Sequence, residues 1–511
     1  MDRELLQRSR TTLGRRASLT AAAVSQYLAA AAASTPEVMT AAGDDAATRF
    51  RSDRTALLAA VLPLLRHACE RLVDVTLAAL RHEGWLGEAP PPAAFRDPTY
   101  QERVVLLALE RCLVNPAAPP LLVSPQPEPM VEQVTSMTPR VAVVFDQPLA
   151  VTHELYPLFT DHFVSSLNRA PSDPALPALM GVQTDWLTSS GSTTRAIAFD
   201  ADLDIFLEAP LPQPVSPAAA VFVAVSSRAH TQAGQQLEDA GVTCLNPHRV
   251  AALADDKWAC FQRWHAAGLA TPPTALLPSR ATAAQIEAQV RVFLAACPPW
   301  PGTAGGWLVQ PRHGTEGQGV IVVDAGAGVE TRVIEAWDQT RGTDDAILRP
   351  RVGSAQLALR DGPAAFDLRL HVVHDGDNRQ AESGYLLAAP PGQVVTSVGR
   401  GGRALSMAAL RDGGLMCIDG VAVPWGADAL AAACALACGA SAALGPLWLC
   451  GCDIKFDSGR QGLVPSILDL NPRPAGLLYS GLLVDDEAGV SVRLWPAIAN
   501  LLGARGGATA R

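Results

Sequence analysis

The spacing of apolar positions changes character along the chain. From residue 1 to about 137 it is helical: 19–33 is Ala-rich, 55–86 carries Leu, Val and Ala three and four apart with Pro63 interrupting, and 100–114 restores the period. Proline-dense stretches at 88–98 and 116–129 separate these runs. The first 137 residues are therefore expected to form a helical appendage for docking or dimerisation, a homodimer being one form it could take.

From Arg140 the period shortens. Residues 141–145 (VAVVF) and 221–227 (VFVAVSS) read as buried strands, 242–246 is a third short strand, and 197–209 contains strand material. Helices are expected over 153–167 and 230–240, the second closed by Gly241. Strands alternating with helices predict a parallel sheet with crossovers. The polar 188–195 (TSSGSTTR) reads as a linker, with a substrate lid as the alternative. A helix capped by Asp255 then runs to Ala267 and is closed by Gly268, with Lys257 in its first turn.

The most distinctive stretch is 307–324, WLVQPRHGTEGQGVIVVD, which reads as strand, loop, strand. Gly314, Gly317 and Gly319 alternate with Thr315, Glu316 and Gln318. Glycines at this density let a hairpin loop turn its N–H groups around an anion, because no Cβ blocks the approach. A P-loop differs: it ends in GK[ST] and opens a helix. From the loop alone, a flexible hairpin without a ligand is the equal alternative.

Downstream, 346–352 is strand-like, and 367–373 (DLRLHVV) alternates with Asp367, Arg369 and His371 on one face. GRGGR at 399–403 is a second glycine-rich loop, with Arg400 and Arg403. An Ala/Cys/Leu helix at 428–444 precedes two adjacent strands, LWLCGCDIKFD and ILDLNPRPAGLLYSG. Residues 469 and 471 point to one face of a strand, so Asp469 and Asn471 can reach one ion, with Asp453 on the neighbouring strand. Two carboxylates and an amide suit Mg²⁺, which keeps its other positions for water and phosphate oxygens. Acids at a sheet edge that are merely solvated are the alternative.

Composition narrows the picture. A chain of 511 residues should hold several domains, and 49% apolar against 18% charged residues excludes a disordered chain. A formal net charge of −10 argues against a nucleic-acid partner. Among 40 basic residues the only lysines are Lys257 and Lys455, which makes each a candidate for a compact point charge. The 10 cysteines form no CxxC pair, so structural zinc is not expected and thiols of a reducing compartment are. The first residues lack the apolar core of a secretory signal, and no membrane span is expected; the expected location is cytoplasmic.

Taken in order, helix-borne Lys257, the glycine hairpin at 313–319, DLR at 367–369, GRGGR, Asp453 and LDLNPRPAG resemble the ATP-grasp superfamily over about residues 140–500. The likeness is to its carboxylate–amine ligases, of the glutathione-synthetase and amino-acid-ligase kind. It rests on order and spacing, each motif being short. It implies a mixed α/β and α+β fold: a helical N-terminal domain (1–137), a pre-ATP-grasp parallel-sheet domain (138–250), an ATP-grasp subdomain with the hairpin (251–345) and another with the metal site (346–505). It implies that Lys257, Gln310 and Arg312 meet the nucleotide, that the loop carrying Gly314, Thr315, Gly317 and Gly319 closes over the phosphates, and that 346–349, chiefly Leu348 and Arg349, offers backbone groups to adenine. Asp453, Asp469 and Asn471 would hold one or two Mg²⁺, with Mn²⁺ as substitute. Arg369, Arg400 and Arg403 would bind a substrate carboxylate or stabilise an acyl phosphate.

The implied activity is ADP-forming: a small carboxylate attacks the γ-phosphorus of ATP, and an amine then attacks the acyl phosphate. No side-chain nucleophile is needed, and no Ser–His or Cys–His arrangement emerges. A non-catalytic ATP-binding module and a phosphotransferase are the alternatives. Two positions depart from the family pattern. Gln310 stands where a second lysine is usual, with Arg312 or His313 available to supply the charge. Asp469 replaces the commoner glutamate, shortening the metal arm by one methylene.

Overall fold

The computed structural model describes residues 121–123, 140–146, most of 154–162, 176–200, 205–297, 305–480 and Trp495, leaving out 315–316, 343, 360–361, 375–377, 398–400, 408–409, 411–413, 418–419, 460–461 and 478 within these spans. The chain divides into two compact units, residues 1–244 with 498–511 and residues 245–497. The helices expected between residues 1 and 114 lie outside the described residues.

The first unit is built on a seven-stranded sheet in the order β1-β5-β4-β3-β2-β6-β7. Its strands are β1 (Leu121–Val123), β2 (Arg140–Phe145), β3 (Ala178–Gln183), β4 (Thr193–Asp200), β5 (Ile205–Val215), β6 (Ala219–Phe222) and β7 (Thr243–Leu245). Val141 to Val144 of central β2 are fully buried, as a strand covered on both faces should be. Helix α1 (Ser227–Asp239) starts where the Ser226 side chain accepts from Ala229 N.

Two expectations are corrected here. Leu121–Val123 lies inside the span expected to be helical, yet it is a strand parallel to β5; prolines on either side deny a helix the turns it would need. The sheet is also mixed rather than parallel. β2 runs parallel to β3 and β6, but β3–β4 and β4–β5 are antiparallel. Only four residues separate antiparallel β4 from β5, too few for the crossover a parallel pair needs. The polar stretch at 188–195 is a tight turn, with Thr188 N donating to Ser192 O at 2.7 Å, and then the start of β4.

The second unit opens with α2 (His248–Asp255) and α3 (Lys257–Ala266). A four-stranded antiparallel sheet follows, ordered β10-β9-β11-β8, from β8 (Ala275–Leu277), β9 (Gly306–Pro311), β10 (Ile321–Asp324) and β11 (Ala346–Pro350). Helices α4 (Ala283–Ala296) and α5 (Val329–Thr340) cover one face through Ile286, Val290, Val333 and Trp337, against Trp307, Val309, Val323 and Leu348. The period-2 alternation turns Leu308, Gln310, Ile347 and Arg349 to the other face.

An eight-stranded sheet completes the unit: β12 (Ala355–Leu359), β13 (Gly362–His374), β14 (Arg379–Ala388), β15 (Arg403–Leu405), β16 (Leu415–Cys417), β17 (Ala422–Val423), β18 (Leu449–Gly459) and β19 (Gly462–Asn471). Long β13 pairs with β12, β14 and β18, and β18 pairs with β19. One face is a dry core of Leu368, Leu370, Val372, Cys450, Cys452 and Ile454 under α6 (Ala427–Leu444). By length and composition α6 could cross a membrane, but Ala433, Ala437 and Ala440 are fully buried in this core. Helix α3 packs here too, through Cys260 and Trp264, whose Nε1 donates to Ala440 O at 3.1 Å. The fold class expected from the sequence, α/β followed by α+β, is the one observed.

Candidate functional site

Lys257 is the first residue of α3, and the residue before it determines where it stands. Asp256, not Asp255, caps the helix: its side chain accepts from Trp258 N and Ala259 N, both at 3.1 Å. Asp255 ends α2 and instead takes Arg473 Nη2 at 2.6 Å. Asp256 also receives Arg312 Nε and Nη2 at 2.8 and 2.6 Å, and Lys257 N donates to Arg312 O. The helix start is thereby clamped to the strand that enters the glycine hairpin. Lys257 Nζ donates to Gly314 O at 2.7 Å and meets Asp469 Oδ2 at 3.0 Å. Three motifs far apart in sequence meet at this one ammonium group.

The hairpin's glycines have local reasons to be there. Gly317 and Gly319 hold φ of 67° and 70°, and an added Cβ would strike Val395 and Pro311. Arg312 does not supply the charge missing at Gln310. It is neutralised by Asp256 and by Asp345, 3.3 Å from its Nη1. His313 is likewise turned to Asp344, with Nδ1 3.1 Å from Oδ2. Thr315 and Arg400 lie outside the described residues.

The second half of the site is the polar face of the eight-stranded sheet. Register sets Arg369 opposite Asp453, Asp453 opposite Asp469, and Gly451 opposite Asn471. Arg369 grips Asp453 with two bonds, Nε to Oδ1 and Nη2 to Oδ2, the latter at 3.0 Å. Gly451 makes room for it: a Cβ there would lie 3.2 Å from Arg369 Cδ. Burial pushes the Asp453 carboxyl up to about 6, with Arg369 pulling the other way. Burial also works against the Arg369 charge, but Asp453, Tyr385 and Asp469 together outweigh it and hold the guanidinium above its usual pKa. Asn471 Nδ2 reaches Asp453 Oδ2 at 3.4 Å. Arg403 is exposed at the start of edge strand β15.

A β-bulge between Asp453 and Ile454 leaves Leu468 without a cross-strand partner. Its carbonyl accepts Arg349 Nη1 at 3.0 Å, which ties β11 to β19. Over Ala346–Leu348 both edges of β11 are paired, with β9 and β8. The backbone groups expected to meet adenine there, those of Leu348 included, are committed to the ladder, and the open edge begins only at Arg349.

No family model matches the chain, and no curated protein is similar to it in sequence. Similar solved structures exist. They include the D-cycloserine synthetase DcsG (19% identity, 71% of this chain and 99% of that one, TM-score 0.43) and a D-alanyl-alanine synthetase A from Vibrio cholerae (13%, 72% and 99%, 0.44). The ATP-grasp ligase PsnB is a third (15%, 71% and 98%, 0.39). Scores this low carry no argument about function. The side chains must carry it.

As donors, Asp453, Asp469 and Asn471 suit a hard divalent cation: two carboxylates and an amide oxygen on adjacent strands of one face. Each carboxylate here has a cationic partner, Arg369 or Lys257, and among the described residues no group of three or more His, Cys, Asp or Glu gathers for a metal. Sequence reasoning did not find the second lysine's place. Lys455 is buried, 2.8 Å from Asp367 Oδ1 and bonded to Phe366 O, while Thr396 Oγ1 also donates to Asp367. The available signal was register: residues 367 and 455 face each other if 369 and 453 do.

Proposed function

We propose that the chain is an ADP-forming ligase that activates a small carboxylate with ATP as an acyl phosphate and passes it to an amine. The observation that carries this reading is the contact of Lys257 with both Asp469 and Gly314 O, which joins the hairpin to the acidic strand pair. A triphosphate lying there would have an ammonium and two carboxylates within reach, and Arg369 beside them. Asp453, Asp469 and Asn471 would hold Mg²⁺ or Mn²⁺, which when bound offsets phosphate charge. Lys257 and Arg369 orient the oxyanions, and the amine attacks without a side-chain nucleophile. Small-molecule carboxylate and amine partners and a cytoplasmic location belong to the same reading.

The test is incubation with Mg·ATP and mixed amino acids, followed by mass detection of ADP, phosphate and a dehydrated conjugate. Asp469→Ala is expected to abolish ADP formation while the fold persists; undiminished turnover would remove Asp469 from the site. One observation favours a second reading. The bidentate hold of Arg369 on Asp453, together with a neutral Gln310, suits a module that binds nucleotide without turning it over. Nucleotide binding with no turnover on any acid pool would select it, and a phosphorylated acceptor without phosphate release would select a phosphotransferase.

A further inference from the structure

The hairpin's own cations are taken by Asp256, Asp344 and Asp345, so a triphosphate beside Lys257 needs positive charge from elsewhere. One buried cation on the facing strand has donors left over. Arg349 is 8% exposed; Nη1 donates to Leu468 O, and Nε finds no acceptor. Gln310, 4% exposed, has the same deficiency at Nε2.

The two belong to one place. Gln310 pairs with Ile347 and Arg349 with Leu308, so Gln310 and Arg349 are diagonal neighbours on the face of the four-stranded sheet away from its helices. That face meets Leu468 and Asp469. A guanidinium has donors only, and a buried donor without an acceptor is disfavoured. The two carboxylates whose charge Arg349 feels are both engaged elsewhere: Asp469 Oδ2 is held by Lys257 and its Oδ1 accepts from Leu470 N, while Asp367 is held by Lys455 and Thr396. What the pair lacks is an oxyanion.

We propose that the side chains of Arg349 and Gln310 form a phosphate subsite, in which Arg349 supplies the charge that position 310 does not. This rests on the nucleotide reading above. It assigns Arg349 a side-chain role in place of a backbone one. It also explains the neutral amide at 310: a lysine there would face a buried guanidinium across the strand pair, and like charges so placed repel.

Calorimetry tests this on the full chain with AMP, a non-hydrolysable ATP analogue with Mg²⁺, and inorganic pyrophosphate. The proteins are wild type, Arg349→Gln, Gln310→Leu and the swap Arg349→Gln/Gln310→Lys, each checked for a native unfolding transition. Arg349→Gln is expected to weaken the analogue and pyrophosphate by roughly tenfold or more relative to AMP, and the swap to regain most of that. Should Arg349→Gln not fold, Gln310→Leu carries the same expectation in smaller measure. Undiminished binding of the analogue in both single variants, or equal loss for AMP and the analogue, overturns the subsite and leaves the nucleotide reading standing. Pyrophosphate held through Arg349 with no nucleotide bound does the reverse. A wild type that binds neither overturns both.

Discussion

His371 is fully buried on the polar face of β13, with neither ring nitrogen hydrogen-bonded and the Tyr385 ring 5.9 Å away. Burial, assisted by Arg369, takes its pKa from 6.5 down to about 3. Between those values the unfolded chain binds a proton that the folded chain refuses. The stability His371 permits is therefore complete above pH 6.5 and falls as pH drops toward 3, with a slope of up to about 1.4 kcal/mol per pH unit. His371→Leu is expected to remove that slope, so urea unfolding should show a larger gain at pH 5 than at pH 7. Equal effects at the two pH values would contradict it. Arg369 carries a second residue-scale prediction. Read from sequence it belongs to the acid substrate; paired with Asp453 it also supports the strand proposed to hold the metal. Arg369→Ala should raise KM for Mg·ATP at least as much as for the acid, and a change confined to the acid would show the pair to be incidental.

At the scale of elements, Asp256 does two jobs, capping α3 and anchoring the hairpin strand through Arg312. Asp256→Ala is expected to cost about 1–2 kcal/mol, Asp256→Asn less because an amide still caps, and a cycle with Arg312→Ala should be non-additive. Additivity in denaturant unfolding would mean that the clamp contributes nothing. The strands and helices that matter were legible beforehand. β13 shows its period in DLRLHVV, with Leu368, Leu370 and Val372 buried and Asp367, Arg369 and His371 on the other face. The break between α2 and α3 was not legible, because Asp255 and Asp256 are chemically identical neighbours. Only the preceding helix decides which of them is free to cap.

At the scale of the whole second unit, buried polar ties bind the strands around the site. Lys455 meets Asp367 and lays its stem against Gly353, while Asp457 Oδ1 accepts from Gly353 N and Ser354 N. Lys455→Met would leave Asp367 a buried charge without its ion-pair partner, at a cost on the order of 3–5 kcal/mol. Lys455→Met/Asp367→Leu should recover most of it in equilibrium unfolding; a double variant as unstable as the single one would refute the pairing. The sequence by itself determined which residues share a face and what chemistry they offer, because alternation along a strand is local and donor types are intrinsic. It could not determine which charge neutralises which. Arg369 and Asp453 are 84 residues apart, and Arg349 and Leu468 are 119 apart. Their meeting depends on strand order, register and one bulge, which exist only once the sheets have formed.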